Sequence, residues 1–371
     1  MIPLNKPYID KSKQRKDLNR FIKSYYPDRN YFLTISARQG LNEIYSKLNK
    51  ENGPREVSVS PFVCAEAIYP IIENGHHINF IDINPRTLNM DESLLSNNLD
   101  IVQAIHLGGN PQDMNQIKKS NPSILIEDCA QCFGSYYNEI PLGMFGDFSV
   151  FSFMKNIYSI GGGLLLSKHS NIEEVLNHKE FDAISTYYRF IKRYLESKSQ
   201  EKKNISSYIL EFILKLKPEN TNFKLNNASI NKMIIKSIEK QINSFENIII
   251  KRINNAKYLI DNLNSDNIYT QEISSLGKSN YLRVYIVLKN KKSKEVIDLL
   301  RRKGIGANHL TQSYLHPHQP RFDSNTYLKK FIRKESLPNY FELHDRVISI
   351  PVSPSLTRDN LDKQIDIINC I

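Results

Sequence analysis

The 371-residue chain has no apolar run approaching the ~18 residues of a membrane-spanning helix, so no transmembrane segment is expected. Its opening, MIPLNKPYIDKSKQRK, lacks a basic head followed by an apolar stretch and a small-residue cleavage site. That excludes a secretory signal and predicts a cytoplasmic protein. Cysteine is scarce. Cys64, Cys129, Cys132 and Cys370 are too few for a disulfide framework in a chain this long, and they read as free thiols of a reducing compartment. Cys129 and Cys132 have CxxC spacing, but without an exposed helix start or a second pair of ligands they predict neither a redox motif nor a metal site. No internal repeat and no low-complexity linker interrupts the chain.

What is present is ordinary globular material, 40% hydrophobic and 24% charged, in a length that exceeds a single core and predicts two domains sharing a continuous interface. The formal charge of +11 points to anionic partners such as phosphates, nucleic acid or a lipid surface. The excess is scattered among Asn and Ile, with concentrations at 189–203 and 289–303. Aromatic residues are not interleaved at base-reading spacing, so no nucleic-acid partner is expected.

From residue 56 to 167, short apolar runs alternate with helical patterns. EVSVSPF, HINFIDI, IVQAIHL, SILIEDC and FSVFSF read as strands; AEAIYPIIENG, DESLLSNNL and DMNQIKKSN read as helices, the first ending on Gly75 as a C-cap. Near-continuous Val, Ile, Leu and Phe in these strands predicts an α/β fold with a mainly parallel sheet covered on both faces. Residues 170–220 break the alternation. Within them SYILEFILKLKPEN suits an amphipathic packing helix or a membrane-surface helix. The stretch 230–263 reads as one long helix, and NYLRVYIVLK, SKEVIDLLRRKG, VISIPVSP and TRDNLDKQIDII then read strand, helix, strand, helix.

In parallel sheets ligands collect beyond the carboxyl ends of the strands. SILIEDCAQC delivers Glu127 and Asp128 to such an end, with Gln131 three residues after Asp128. Asp128 is either a helix cap or a carboxylate held for a cationic partner. FSVFSFMKN ends the next strand at Ser152 and follows it with Lys155. By itself Lys155 reads as a surface charge, since lysine is among the least buried residue types. In a half-buried place it would be an amine able to hold a carbonyl. TISARQGL, at 34–41, places Ser36, Ala37 and Arg38 at a helix entry, a ready anion site or a plain serine cap. Phosphate site, carboxylate and carbonyl-holding lysine are together the requirements of pyridoxal phosphate.

The order of these motifs resembles the DegT/DnrJ/StrS family of pyridoxal-phosphate-dependent sugar aminotransferases. The likeness rests on MIPLNKPYI, on SPFVCAEAIYPIIENGHHINFIDINPRTLNMD, on AIHLGGNPQDM, on ILIEDCAQCFGSYYNEIPLGMFGDFSVFSF, on RRKGIGANHLTQSYLHPH and on RVISIPVSPSLT. The resemblance implies the type I fold of that cofactor class. Residues 1–225 would form a large cofactor-binding domain on a mainly parallel sheet of the seven-stranded type, with a helical insertion near 170–220. Residues 226–371 would form a connecting helix and a small α/β domain. It implies Lys155 as the Schiff-base lysine, Asp128 as partner of the pyridine nitrogen and Gln131 as a contact to the ring hydroxyl. Ser152 and the backbone at Ala37 and Arg38 would bind the phosphate, and His309 and His316 would face the substrate. It further implies a homodimer that moves an amino group from glutamate to a keto-sugar nucleotide for a surface polysaccharide, such as lipopolysaccharide, or a similar glycoconjugate. A diverged, non-transaminating family member that binds a sugar nucleotide or another anionic partner is the alternative. Three features depart from the family pattern. Ser152 and Lys155 are three apart instead of five. Cys64 stands where an aromatic residue usually stacks on the cofactor. The Asn that reaches the phosphate of the partner subunit has only Asn226 or Asn227 as counterparts.

Overall fold

The computed structural model describes residues 2, 16–169, 191, 230–310 and 333–371. The N-terminal part forms, in order, α1 (Leu18–Tyr25), β1 (Asn30–Thr34), α2 (Ala37–Asn52), β2 (Glu56–Val59), α3 (Ala65–Glu73), β3 (His77–Phe80), β4 (Ile101–Ile105), α4 (Met114–Lys119) and β5 (Ile124–Cys129). It continues through β6 (Tyr136–Tyr137), β7 (Ile140–Pro141), β8 (Phe148–Ser152), the single-turn α5 (Phe153–Asn156) and β9 (Gly163–Ser167). Seven of these strands make one sheet in the order β1-β9-β8-β5-β4-β2-β3. The five from β8 to β3 are parallel, while β9 runs antiparallel to both β8 and β1.

Every residue of β4, β8 and β9 is buried, as near-continuous apolar strands demand when helices cover both faces. Neighbouring residues feed opposite faces. Ile126 and Val150 join Leu41, Ile44 and Ile68 of α2 and α3, whereas Leu125 and Phe151 join Phe21 and Ile22 of α1. Gly75 follows α3 at φ +77 and donates its N–H to Ile72 O at 3.0 Å, the expected C-terminal stop.

The C-terminal part contains α6 (Lys232–Ile242), α7 (Phe245–Asp261), β10 (Ile268–Thr270), β11 (Gly277–Lys278), β12 (Val284–Leu288), α8 (Ser293–Arg302), β13 (Asn308–His309), α9 (Pro338–Leu343), β14 (Val347–Ile350) and α10 (Arg358–Asn369). A four-stranded antiparallel sheet, β10-β12-β14-β13, packs on α7, α8 and α10 through Leu259, Ile297 and Ile365. Strand β11 pairs with β6, so the second part lends a strand to the first.

Two readings of the sequence are corrected. DESLLSNNL holds only a 3-10 turn at Glu92–Leu94, because Asp91 accepts from Ser93 N–H and the Ser-Asn-Asn tail competes with a helical backbone. The 230–263 stretch is two helices, α6 and α7, separated at Asn243 and Ser244. Both residues are weak helix formers, and the break turns Phe245 onto Phe133, with ring centroids 4.8 Å apart. The expected 225/226 boundary, the 170–220 insertion, His316, Asn226 and Asn227 lie outside the described residues.

Candidate active site

Strands β5 and β8 are parallel neighbours, so their carboxyl ends open on the same edge of the sheet. Asp128 stands near the end of β5, 7% exposed, with Oδ1 accepting the Ala130 N–H at 3.0 Å. Lys155 lies in α5, three residues beyond Ser152, and is exposed. Burial pushes the Asp128 carboxyl above its ordinary range, and the Lys155 ammonium opposes that rise. Cys64, at the N-cap of α3, belongs to the same group. Burial raises its thiol, Lys155 lowers it and Asp128 raises it again. One lysine amine therefore acts on a buried carboxyl near the end of β5 and on a partly buried thiol at the start of α3.

Gln131 sits in the turn after β5, its Oε1 accepting the Gly108 N–H at 2.9 Å. Ser152 ends β8 at the N-cap of α5, with its hydroxyl not spent on capping. In the sheet register Ser152 faces Gly163, and Gly163 in turn faces Thr34. A Cβ on Gly163 would lie 2.5 Å from Ser36 C and 2.7 Å from Ala37 N, so only glycine lets the entry of α2 approach this closely. Ser36 caps α2 by accepting the Gln39 N–H at 3.2 Å. The first-turn amides of Ala37 and Arg38 have no acceptor within the helix, and with the helix dipole they suit an anion. The Arg38 guanidinium is paired with Glu66 at 2.7 Å, so this geometry offers the Arg38 backbone for the anion.

The structure thus gathers Lys155, Asp128, Cys64, Gln131, Ser152 and the α2 entry at one end of the large sheet. It places His309 in β13, its Nδ1 sharing a hydrogen bond of 2.8 Å with Ser293 Oγ at the start of α8.

Sequence reading did not anticipate the support beneath Asp128. The adjacent Glu127 faces the opposite side of β5 and accepts the N–H groups of Gly143, Phe145 and Gly146 at 2.9, 2.8 and 2.7 Å. Burial alone would raise its carboxyl, but the hydrogen bond from His106 and these amides hold it below the usual carboxylate range. The glycines of GMFGD were the available signal, since close approach of a loop backbone to a carboxylate favours them. His106 Nδ1 accepts the Gln112 N–H at 3.1 Å, so the proton of the neutral ring is on Nε2, which faces Glu127 at 3.4 Å. The ligand atoms of His106, Cys129 and Cys132 lie within 4.8 Å of one another, but a protonated Nε2 has no lone pair to give an ion.

The model of the DegT/DnrJ/EryC1/StrS aminotransferase family matches residues 5–369. GDP-perosamine synthase of Escherichia coli O157:H7 is 30% identical over 144 residues, a stretch spanning 36% of this chain and 40% of that relative's length. The crystal structure of the sugar aminotransferase CalS13 of Micromonospora echinospora superimposes with a TM-score of 0.70 at 18% identity, covering 100% of both chains. E. coli GDP-4-keto-6-deoxy-D-mannose-3-dehydratase with bound hydrated PLP superimposes with a TM-score of 0.72 at 18% identity, covering 94% of this chain and 90% of that one. Both structures share the expected type I fold. With the family model matched along nearly its whole length, the chain belongs to the DegT/DnrJ/EryC1/StrS aminotransferase family.

Proposed function

We propose that this protein transfers an amino group from glutamate to the keto carbon of a nucleotide-linked sugar, with pyridoxal 5′-phosphate as its cofactor. The single observation that carries this reading is the juxtaposition of Lys155, in the turn that follows β8, and buried Asp128 near the end of the adjacent parallel strand β5. The surrounding residues fit the group. Gly163 leaves the α2 entry close to the end of β8, where a phosphate would find the Ala37 and Arg38 amides and the Ser152 hydroxyl. Cys64 would border the ring, and Gln131, with its Oε1 occupied by Gly108, keeps its amide N–H groups for the ring hydroxyl. A dehydratase of this family bears histidine at the lysine position, whereas this chain has Lys155 there, which favours amino transfer over dehydration.

When bound, the cofactor supplies an electron sink for the carbon that loses its proton. Asp128 holds the charge of the ring nitrogen, and Lys155 Nζ gives and takes the proton at the substrate-derived carbon. The net charge of +11 favours a diphosphate-bearing substrate. The same reading makes the protein a cytoplasmic homodimer acting in surface polysaccharide or glycoconjugate synthesis, with its domains meeting near residue 225 and His309 toward the substrate.

The test begins with the purified protein incubated with pyridoxal phosphate. A visible absorbance band is expected, with a borohydride-fixed mass adduct on Lys155, and neither in Lys155→Ala. A colourless wild-type protein overturns the proposal. Incubation with glutamate and a panel of keto-sugar nucleotides then identifies the aminated product by mass spectrometry. One observation favours the second reading, a sugar-nucleotide binder that does not transaminate: only a single helical turn separates Ser152 from Lys155. A coloured protein that binds but aminates no member of the panel is the outcome that favours it.

A further inference from the structure

The helix that carries Lys155 is four residues long and has no side-chain cap, so something else must hold it. Asn156 does so from within. Its Nδ2 donates to Ser152 O at 2.9 Å and to Ala130 O at 3.0 Å, tying the α5 turn to the turn after β5. Two residues from outside the large sheet then hold Asn156. Arg252 of α7 donates from Nη2 to Asn156 O at 3.0 Å. Asn280, just before β12, donates from Nδ2 to Asn156 Oδ1 at 3.1 Å.

The Asn280 amide does more than hold one partner. The same Nδ2 lies 3.1 Å from Gln131 O and 2.9 Å from Phe133 O, so its two hydrogens are shared among three acceptors on two turns. Its Oδ1 accepts the Leu282 N–H at 2.8 Å, and its own N–H donates to Ser135 Oγ at 2.9 Å. Asn280 and Asn156 are 0% and 1% exposed, so none of these bonds is replaced by solvent when one partner is removed. Gly109 makes the insertion feasible, because a Cβ there would lie 2.0 Å from Asn280 Oδ1. Arg252, also buried, has a second arm, Nη1, with no hydrogen-bond partner among the described residues. Among the described residues, the one hydrogen bond its guanidinium makes is the bond to Asn156.

We propose that Asn280 and Arg252 are positioning residues that set where the Lys155 amine stands relative to Asp128 and Gln131. The two together brace a turn that is two residues shorter than the family pattern. The proposal rests on the assignment of Lys155 as the reacting amine, and it makes the C-terminal part of the chain a determinant of geometry in a site built on the large sheet. Misplacement of a reacting group by about 1 Å costs roughly 10²-fold in rate, which sets the size of effect to look for.

The experiment compares wild type with Asn280→Asp, which keeps the shape and the Oδ1 acceptor but removes the donors, and with Arg252→Lys and Asn156→Ser. Lys155 in the cofactor-free protein is labelled with an amine-acylating reagent, and its rate is read by mass spectrometry relative to exposed lysines. The pH midpoint of the visible band and the kcat and KM values are read in protein loaded with pyridoxal phosphate. Expected is a change of about tenfold or more in Lys155 labelling, a displaced pH midpoint, and kcat lowered toward 10²-fold with the sugar-nucleotide KM little changed. Folded variants with wild-type labelling and an unmoved midpoint overturn the proposal. If Asn280→Asp does not fold, the same readings on Arg252→Lys and Asn156→Ser decide. A wild type that never colours defeats the functional reading, whereas the labelling comparison still judges the positioning one.

Discussion

Two adjacent residues of β5 divide two tasks, because alternation along a strand sends them to opposite faces. Asp128 faces Lys155 and Cys64; Glu127 anchors the 143–146 loop beneath them. The Glu127 carboxylate meets three backbone donors and the Nε2–H of His106, all away from water. Glu127→Gln turns an amide group toward at least one of those donors, and a loss of about 3 kcal/mol at neutral pH is expected, measured by urea denaturation. The pH dependence has a definite sign. The folded carboxyl sits below its unfolded value, so its stabilising contribution is present above roughly pH 4.3 and fades as the pH falls through the folded value. The gap between wild type and variant should therefore narrow on acidification. A gap that stays constant into acid would show that the ionised form is not what holds the loop.

At the scale of elements, the approach of α2 to β9 sets the anion site. Gly163→Ala places a methyl against Thr34 Oγ1 and against Ser36 and Ala37 backbone atoms at the capped entry of α2, and the two backbone contacts have no soft side chain to give way. The expected cost is about 1–3 kcal/mol of stability with weakened retention of pyridoxal phosphate, read as a lower melting temperature and a higher Kd for the cofactor. Unchanged cofactor affinity would separate the α2 entry from the phosphate. The parts of this region visible in the sequence were those with local causes. Strong apolar runs marked β4, β5 and β8, and Gly75 marked the end of α3. The order of Asp128, Gln131, Ser152 and Lys155 followed from strand ends. The two-residue strands β6, β7, β11 and β13 carry too few residues to show a period. The break between α6 and α7 has only a faint local cause in Asn243 and Ser244 and is fixed by the packing of Phe245 on Phe133, which no local pattern records. Asn280 was illegible for the same reason: its partners lie 124 to 149 residues away.

On the scale of the whole molecule, the two sheets do not have separate interiors. Tyr285, Val287, Leu337 and Tyr340 from the C-terminal part share one apolar cluster with Leu41, Val59 and Phe62 of the N-terminal part. Polar bonds cross the same seam. Asn110 Nδ2 donates to Glu272 O at 2.7 Å, the Glu272 N–H donates to Arg86 O at 2.9 Å, and the Asn138 N–H donates to Leu276 O at 2.8 Å. Neither part can expose its surface of this cluster without exposing the other, so calorimetry should record one unfolding transition. Asp82 is the sharpest probe of that coupling. It is buried beyond the end of β3, and its carboxylate accepts the N–H groups of Asn339 and Tyr340 at 2.8 and 2.9 Å, capping α9 from the other side of the seam where Leu337 offers no side-chain cap. Tyr340 in turn packs its ring 5.3 Å from Phe62, two residues from Cys64. Asp82→Ala leaves one buried and one half-buried donor unmet and is expected to cost about 2 kcal/mol. Because the cluster is shared, the single transition should move down as a whole, and the site near Cys64 should loosen with it, seen as weaker cofactor retention. A variant that instead splits the transition in two would show that each sheet stands on its own core.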